Sequence, residues 1–186
     1  QGAGMLDIDD AILATTRIEP GKISLGESEW GPVVHELTIE NKSDTDVTYD
    51  LWEEWYAIAT TGTFAADMGY WSSDGYLIMP SSVTVPAYGE KKVNVTFVPP
   101  TGPGLSTYGG YILFEPQGGG QSYRVPYAGF DGDYQALSVL YANPYGLPFI
   151  LNEAPSYTMV GDDIPNFWVN FGQQARKFRM EVFDAT

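Results

Sequence analysis

Residues 33–51 read VVHELTIENKSDTDVTYDL, and their alternation decides the fold. Val33, His35, Leu37 and Ile39 share one side of an extended chain; Glu36, Thr38 and Glu40 share the other. Successive side chains of a strand point to opposite faces, so this period of two predicts a half-buried strand. Asn41-Lys42-Ser43-Asp44 then reads as a turn, because Asn, Asp and Ser side chains bond to backbone a residue or two away. Val47, Tyr49 and Leu51 resume the alternation on a second strand.

The same reading extends downstream. Val83 and Val85 lie within residues 82–86, and Val93, Val95 and Phe97 follow Tyr88-Gly89-Glu90. Residues 111–114 and 123–130 flank Gln117-Gly118-Gly119-Gly120-Gln121, a hairpin with a glycine-rich loop. Short strands separated by turn residues predict a mainly β chain folded as an antiparallel β-sandwich. Pro80, Pro86 and Pro126 are expected at strand ends or edges, since proline cannot donate to a ladder. Upstream, residues 5–16 predict a short helix, with Asp7 as N-cap, Asp9 and Asp10 in the first turn, and Ile8, Ala11 and Ile12 at helical spacing. Residues 133–164 read as a long connection, and residues 167–171 and 178–183 as two closing strands around Gly172-Gln173-Gln174.

The chain has 186 residues, enough for a core without staples. It contains no cysteine, which excludes a disulfide scaffold, a zinc ribbon and a thiol nucleophile. With 24 acidic against 9 basic side chains its net charge is −15, which argues against nucleic acid. That charge suits a soluble extracellular or surface protein. An aromatic content of 15% sets it apart from a disordered acidic tail. The longest uncharged stretch, residues 134–152, is broken by Asn143, Pro144, Gly146 and Pro148 and makes a poor membrane span. The opening QGAGMLDIDD has neither a basic start nor an apolar run, so it does not read as a signal peptide. It reads either as a mature start or as a piece of a longer protein.

Catalytic chemistry finds little material. His35 is the one histidine and sits on the inward face of its strand, where a structural role is expected. Glu53 and Glu54 precede Trp55 as a carboxylate pair, but neighbours on a strand point apart and cannot work on one bond. Asp131, Asp133, Asp162 and Asp163 are hard-oxygen donors in loop-like sequence and the candidates for calcium; solvated turn acids are the alternative. Trp52, Trp55 and Trp71 are candidates for an exposed aromatic platform that binds carbohydrate or peptide, against the plainer expectation that they fill the core. Asn41-Lys42-Ser43 and Asn94-Val95-Thr96 match the glycosylation acceptor pattern, though Asn41 is already accounted for by the turn.

Several segments in series carry a resemblance. Gln1-Gly2-Ala3-Gly4-Met5-Leu6-Asp7 with Asp10-Ala11 and Ala14-Thr15 resembles the end of the catalytic domain in large secreted subtilisin-like serine proteases, of the Vpr-like and cell-envelope-proteinase branch. Residues 18–26, with residues 37–43 and 47–49, are similar to the start of the fibronectin type III-like, immunoglobulin-like domain that follows in that family. Val125-Pro126-Tyr127-Ala128-Gly129-Phe130-Asp131-Gly132-Asp133-Tyr134 resembles that domain's ending. Residues 163–171 and 176–185 are similar to the opening of the next sandwich module. The family's catalytic Asp, His and Ser segments are absent, so no catalytic residue carries over.

The resemblance implies three parts: residues 1–16 as the remnant of a catalytic domain, 17–132 as the sandwich, and 133–186 as a linker and β-extension. It implies a non-catalytic accessory module of a secreted, cell-envelope-associated endopeptidase, with no cofactor of its own. The implied partners are the catalytic domain of the same polypeptide and its protein or peptide substrate. Met5, Ile8, Ile12 and Leu13 would form the face that docks on the protease.

Overall fold

A computed structural model describes residues 7–54, 57–59, 70–72, 74–102, 104–136, 140, 149–169, 171, 176–181 and 183; of the side chains at 57–59, 70 and 71 nothing is described. Helix α1, Ile8–Leu13, opens the described chain, and Asp10 N–H donates to the Asp7 carboxylate at 3.2 Å as the cap spacing predicts. The helix is shorter than the expected 5–16. It ends at Ala14, and Thr16 already belongs to β1, Thr16–Glu19. Thr15, Thr16 and Ile18 are β-branched and favour an extended backbone.

Two sheets face each other. The first runs β1, then β3 (Val33–Asn41), β9 (Glu90–Val98) and β7 (Tyr76–Ile78). The second runs β2 (Ile23–Glu27), β11 (Tyr123–Asp131), β10 (Ser106–Pro116), β4 (Val47–Glu54) and β8 (Ser82–Val85), with β5 (Ala57–Ala59) on β10 and β6 (Tyr70–Ser72) on β5. Leu37, Ile39, Val93, Val95 and Phe97 from the first sheet meet Leu51, Val85, Ile112, Phe114 and Val125 from the second in one core. Every one of these is an alternate residue of its strand, as a sandwich interior requires. The architecture is the mainly β sandwich expected, and among the described residues its antiparallel pairing has one exception: β2 lies parallel to β11. The cause is a change of sheet. Pro20-Gly21-Lys22 breaks the first strand, so β1 pairs with β3 while β2 crosses to β11. Pro126 lies inside β11, yet the β2 ladder starts only at Tyr127, so proline occupies a stretch that is still an edge.

Two polar ties close the core. Asn41 is buried, and its amide donates to the Thr45 (2.8 Å), Pro86 (3.2 Å) and Val85 (3.3 Å) carbonyls while its oxygen accepts from Ser43 N–H at 2.9 Å and Ser43 Oγ at 2.7 Å. This side chain is spent on the turn and on the end of β8. The hydroxyls of Thr16 and Tyr49 meet at 2.7 Å between the two sheets. Burial raises the Tyr49 phenol above its ordinary range, partly offset by that bond.

The described residues up to Tyr134 form one compact unit and those from Gln135 on form a second. In the second, β12 (Phe149–Ile150) pairs antiparallel with β13 (Phe167–Trp168), and Leu140 bridges Phe171. The closing strand expected at 178–183 is not formed over its described residues, and the other reaches only from Phe167 to Trp168 before the single bridge at Phe171. The turn expected at 172–174 lies outside the described residues. Among the described residues no helix is long and apolar enough to cross a membrane.

Candidate functional site

A cleft of about 270 Å³ opens in the sandwich unit, walled by β4, β7, β9, β10 and β11. Its apolar walls are Phe97, Tyr108 and Tyr127, all buried; the Phe97 and Tyr127 rings meet edge-on with centroids 5.0 Å apart. Its acidic groups are Glu53 and Asp74. Tyr49 and Leu51 of β4 point into the core, so the alternation turns Glu53 inward too, at the position where a sandwich interior calls for an apolar residue. One carboxylate oxygen accepts from the Tyr127 hydroxyl at 2.5 Å and the other from Leu77 N–H at 3.1 Å, so Glu53 ties the second sheet to the edge of the first. Asp74 accepts from Thr101 N–H at 2.9 Å and from the Thr101 hydroxyl, and these bonds hold its carboxyl below the usual range.

Tyr108 depends on a glycine. A Cβ at Gly129 would stand 2.9 Å from the tip of the Tyr108 ring, so the partner position in the β10–β11 ladder must carry no side chain. At Gly109 a Cβ would meet the Tyr127 carbonyl oxygen at 2.5 Å, which no substitution relieves without moving β11. Burial first, and the charge of Asp131 second, push the Tyr108 hydroxyl up to about 12. It is therefore a neutral phenol at any physiological pH.

The residues singled out from sequence are dispersed. Ile8, Ile12 and Leu13 stand exposed on α1, Ile12 and Leu13 each at 76%. Met5 lies outside the described residues, as do Trp55 and the side chain of Trp71. Trp52, expected in the core, points away from it and is 55% exposed, because Leu51 takes the inward position. Asp131 is buried and accepts from Ser28 Oγ at 3.0 Å, while Gly132 N–H donates to the same Ser28 oxygen at 2.8 Å. It clasps β2 to the end of β11. Asp163 closes a small loop in the second unit, accepting from Thr158 N–H at 2.7 Å and Thr158 Oγ at 2.5 Å, which lowers its pKa. Asp133 is half-buried and Asp162 exposed, and among the described residues no three His, Asp or Glu side chains converge as a metal site would require. His35 is half-buried with its ring edge-on to Phe97 at 5.7 Å, on the inward face as expected. Glu54 is exposed and Glu53 is not, so the pair points apart.

Glu53 is the feature that reading by pairs passes over. Its signal is present in the sequence: in Tyr49-Asp50-Leu51-Trp52-Glu53, the first, third and fifth positions share the core face, and the fifth is an acid.

No curated protein matches the chain. Among solved structures it is similar to the ASH/PapD-like domain 7 of human CEP192, at 18% identity, covering 63% of this chain and 84% of that one with a TM-score of 0.48. It is similar also to the CupB2 chaperone of Pseudomonas aeruginosa, at 14% identity, covering 66% and 58% with a TM-score of 0.40. Neither likeness bears on function. The profile of the Fn3-like domain matches residues 23–128, from the first residue of β2 into β11, and so takes in more than half of the sequence and most of both sheets. The chain therefore belongs to the Fn3-like domain family.

Proposed function

We propose that this chain is a non-catalytic accessory module of a secreted, cell-envelope-associated subtilisin-like serine endopeptidase. It docks on the catalytic domain of the same polypeptide and contributes to substrate positioning, stability or spacing. The observation that carries the reading is α1. Six residues of helix are marginal alone, and this one buries none of its residues while Ile8, Ile12 and Leu13 face solvent. A helix with that composition gains by covering its apolar side, and the motif that contains it resembles the end of a protease domain. The Fn3-like fold of the rest is a scaffold class that supports such a role.

Two measurements test it. The coding sequence upstream of Gln1 should contain the catalytic segments of a subtilisin; an unrelated domain overturns the reading. In that full-length protease, Ile12→Asp with Leu13→Asp should lower the melting temperature of the catalytic domain and leave that of the sandwich unchanged. No effect on the catalytic domain overturns docking through α1. The alternative, a carbohydrate- or peptide-binding module, has the exposed Trp52 in its favour. A saturable change in fluorescence with an oligosaccharide, lost in Trp52→Ala, would select it.

A further inference from the structure

We propose that the cleft is a pocket for one guanidinium group, the arginine side chain of a peptide or protein partner. The inference does not depend on the docking reading, since it concerns only the interior of the sandwich unit. It starts from Glu53, an acid on the core face of β4. Each of its oxygens takes one hydrogen bond, from Tyr127 and from Leu77, and a carboxylate has about four acceptor positions. Among the described residues no Lys or Arg lines the cleft, and the ion pairs formed elsewhere use Glu19, Glu36, Glu40 and Glu181. A half-buried carboxylate therefore keeps acceptor positions for the N–H groups of a cation, with no cationic side chain of the cleft lining to fill them. Asp74, exposed at the rim, adds a second negative charge.

The walls choose among cations. Phe97, Tyr108 and Tyr127 line the cleft with buried rings, an apolar floor against which the weakly hydrated edge of a planar guanidinium can lie while its N–H fork meets a carboxylate. An ammonium is a compact, strongly hydrated charge and gains less there. Size points the same way. At about 270 Å³ the cleft falls just under the range of roughly 300–1,000 Å³ that holds drug-sized ligands, which suits one long side chain. The chain's net charge of −15 draws cations towards it.

The test is titration of the 186-residue chain with Nα-acetyl-arginine-methylamide, followed by NMR at the Leu77 amide and by calorimetry. The same titration is run with the citrulline, lysine and norleucine analogues. Saturable binding in the millimolar range is expected, at least about tenfold tighter for arginine than for citrulline, which keeps the shape and loses the charge. Glu53→Gln, which keeps an acceptor for Tyr127, should weaken arginine binding about tenfold, and Asp74→Asn at the rim should weaken it less. Equal binding of citrulline or lysine, or no saturation by arginine, overturns the proposal on the unaltered chain, whether or not Glu53→Gln folds. Unchanged affinity in a folded Glu53→Gln protein overturns it equally.

Discussion

The sandwich and the C-terminal unit both carry large apolar side chains and use them in opposite ways. In the sandwich Phe97 and Phe114 are wholly enclosed, each on a strand with a partner on both sides. In the C-terminal unit Phe167, Trp168, Phe178, Met180 and Phe183 are all exposed, and its described sheet is one ladder of two-residue strands. Composition does not separate these regions; pairing over distance does. A two-stranded ladder has no second layer to bury its face, and alone it is marginal in water. Ring contacts between Phe149 and Trp168 and between Phe171 and Phe178 join polar bonds in ordering the described residues of the second unit. Asn152 accepts from Asn166 N–H at 2.7 Å and donates to the Ile164 carbonyl at 2.7 Å, and Tyr157 donates to the Asn152 carbonyl at 2.8 Å.

The contrast can be broken or sharpened by substitution. Phe97→Ala should cost the sandwich about 3–5 kcal/mol in urea unfolding, because the ring is enclosed and touches both His35 and Tyr127. Asn41→Ala should cost about 2 kcal/mol, since it leaves the buried Val85 carbonyl without this donor and removes the bonds that hold the part-buried turn; a loss under about 1 kcal/mol would show that the turn is held by other means.

Tyr108 gives a pH signature confined to the first region. Its folded pKa of about 12 lies above its ordinary 10.0, so the folded state holds the proton more tightly. The stability this contributes is complete below pH 10 and is lost as the pH rises towards 12, by an amount on the order of 2 kcal/mol. Tyr108→Phe should remove that part of the alkaline slope while leaving neutral stability little changed. An unaltered slope would show that the hydroxyl is not buried.

The smallest effect is expected at Trp168→Ala. An exposed side chain on a two-residue strand should change the unfolding of the sandwich by less than about 0.5 kcal/mol. A larger loss would erase the distinction between the regions.

How much was legible follows the same division. Residues 33–51 disclose two strands and their turn, because one buried face imposes a period of two and Asn41 is a turn residue by chemistry. The hairpin between β10 and β11 is equally plain, with a glycine-rich loop where Gly119 and Gly120 take positive φ. The parallel β2–β11 pair was not legible. Pro20-Gly21 shows that a strand stops, but the sheet that receives the next one is settled by contacts a hundred residues away. Over its described residues the expected strand at 178–183 has alternation and no ladder, and alternation alone forms none. At the cleft, the informative relation of Glu53 is to Tyr49 and Leu51 on its own face rather than to Glu54 beside it. Its companions Tyr127, Leu77 and Phe97 come from strands that only the fold brings together.

The crossing of the chain between β1 and β2 also has a mechanical consequence. Because β2 and β11 run the same way, tension between the start of β2 and the end of β11 slides one strand along the other. Their backbone bonds then bear the load together, whereas the antiparallel β12–β13 ladder, pulled from its open end, peels bond by bond. The sandwich is thus braced against stretching along the chain by the step that carries β2 into the second sheet.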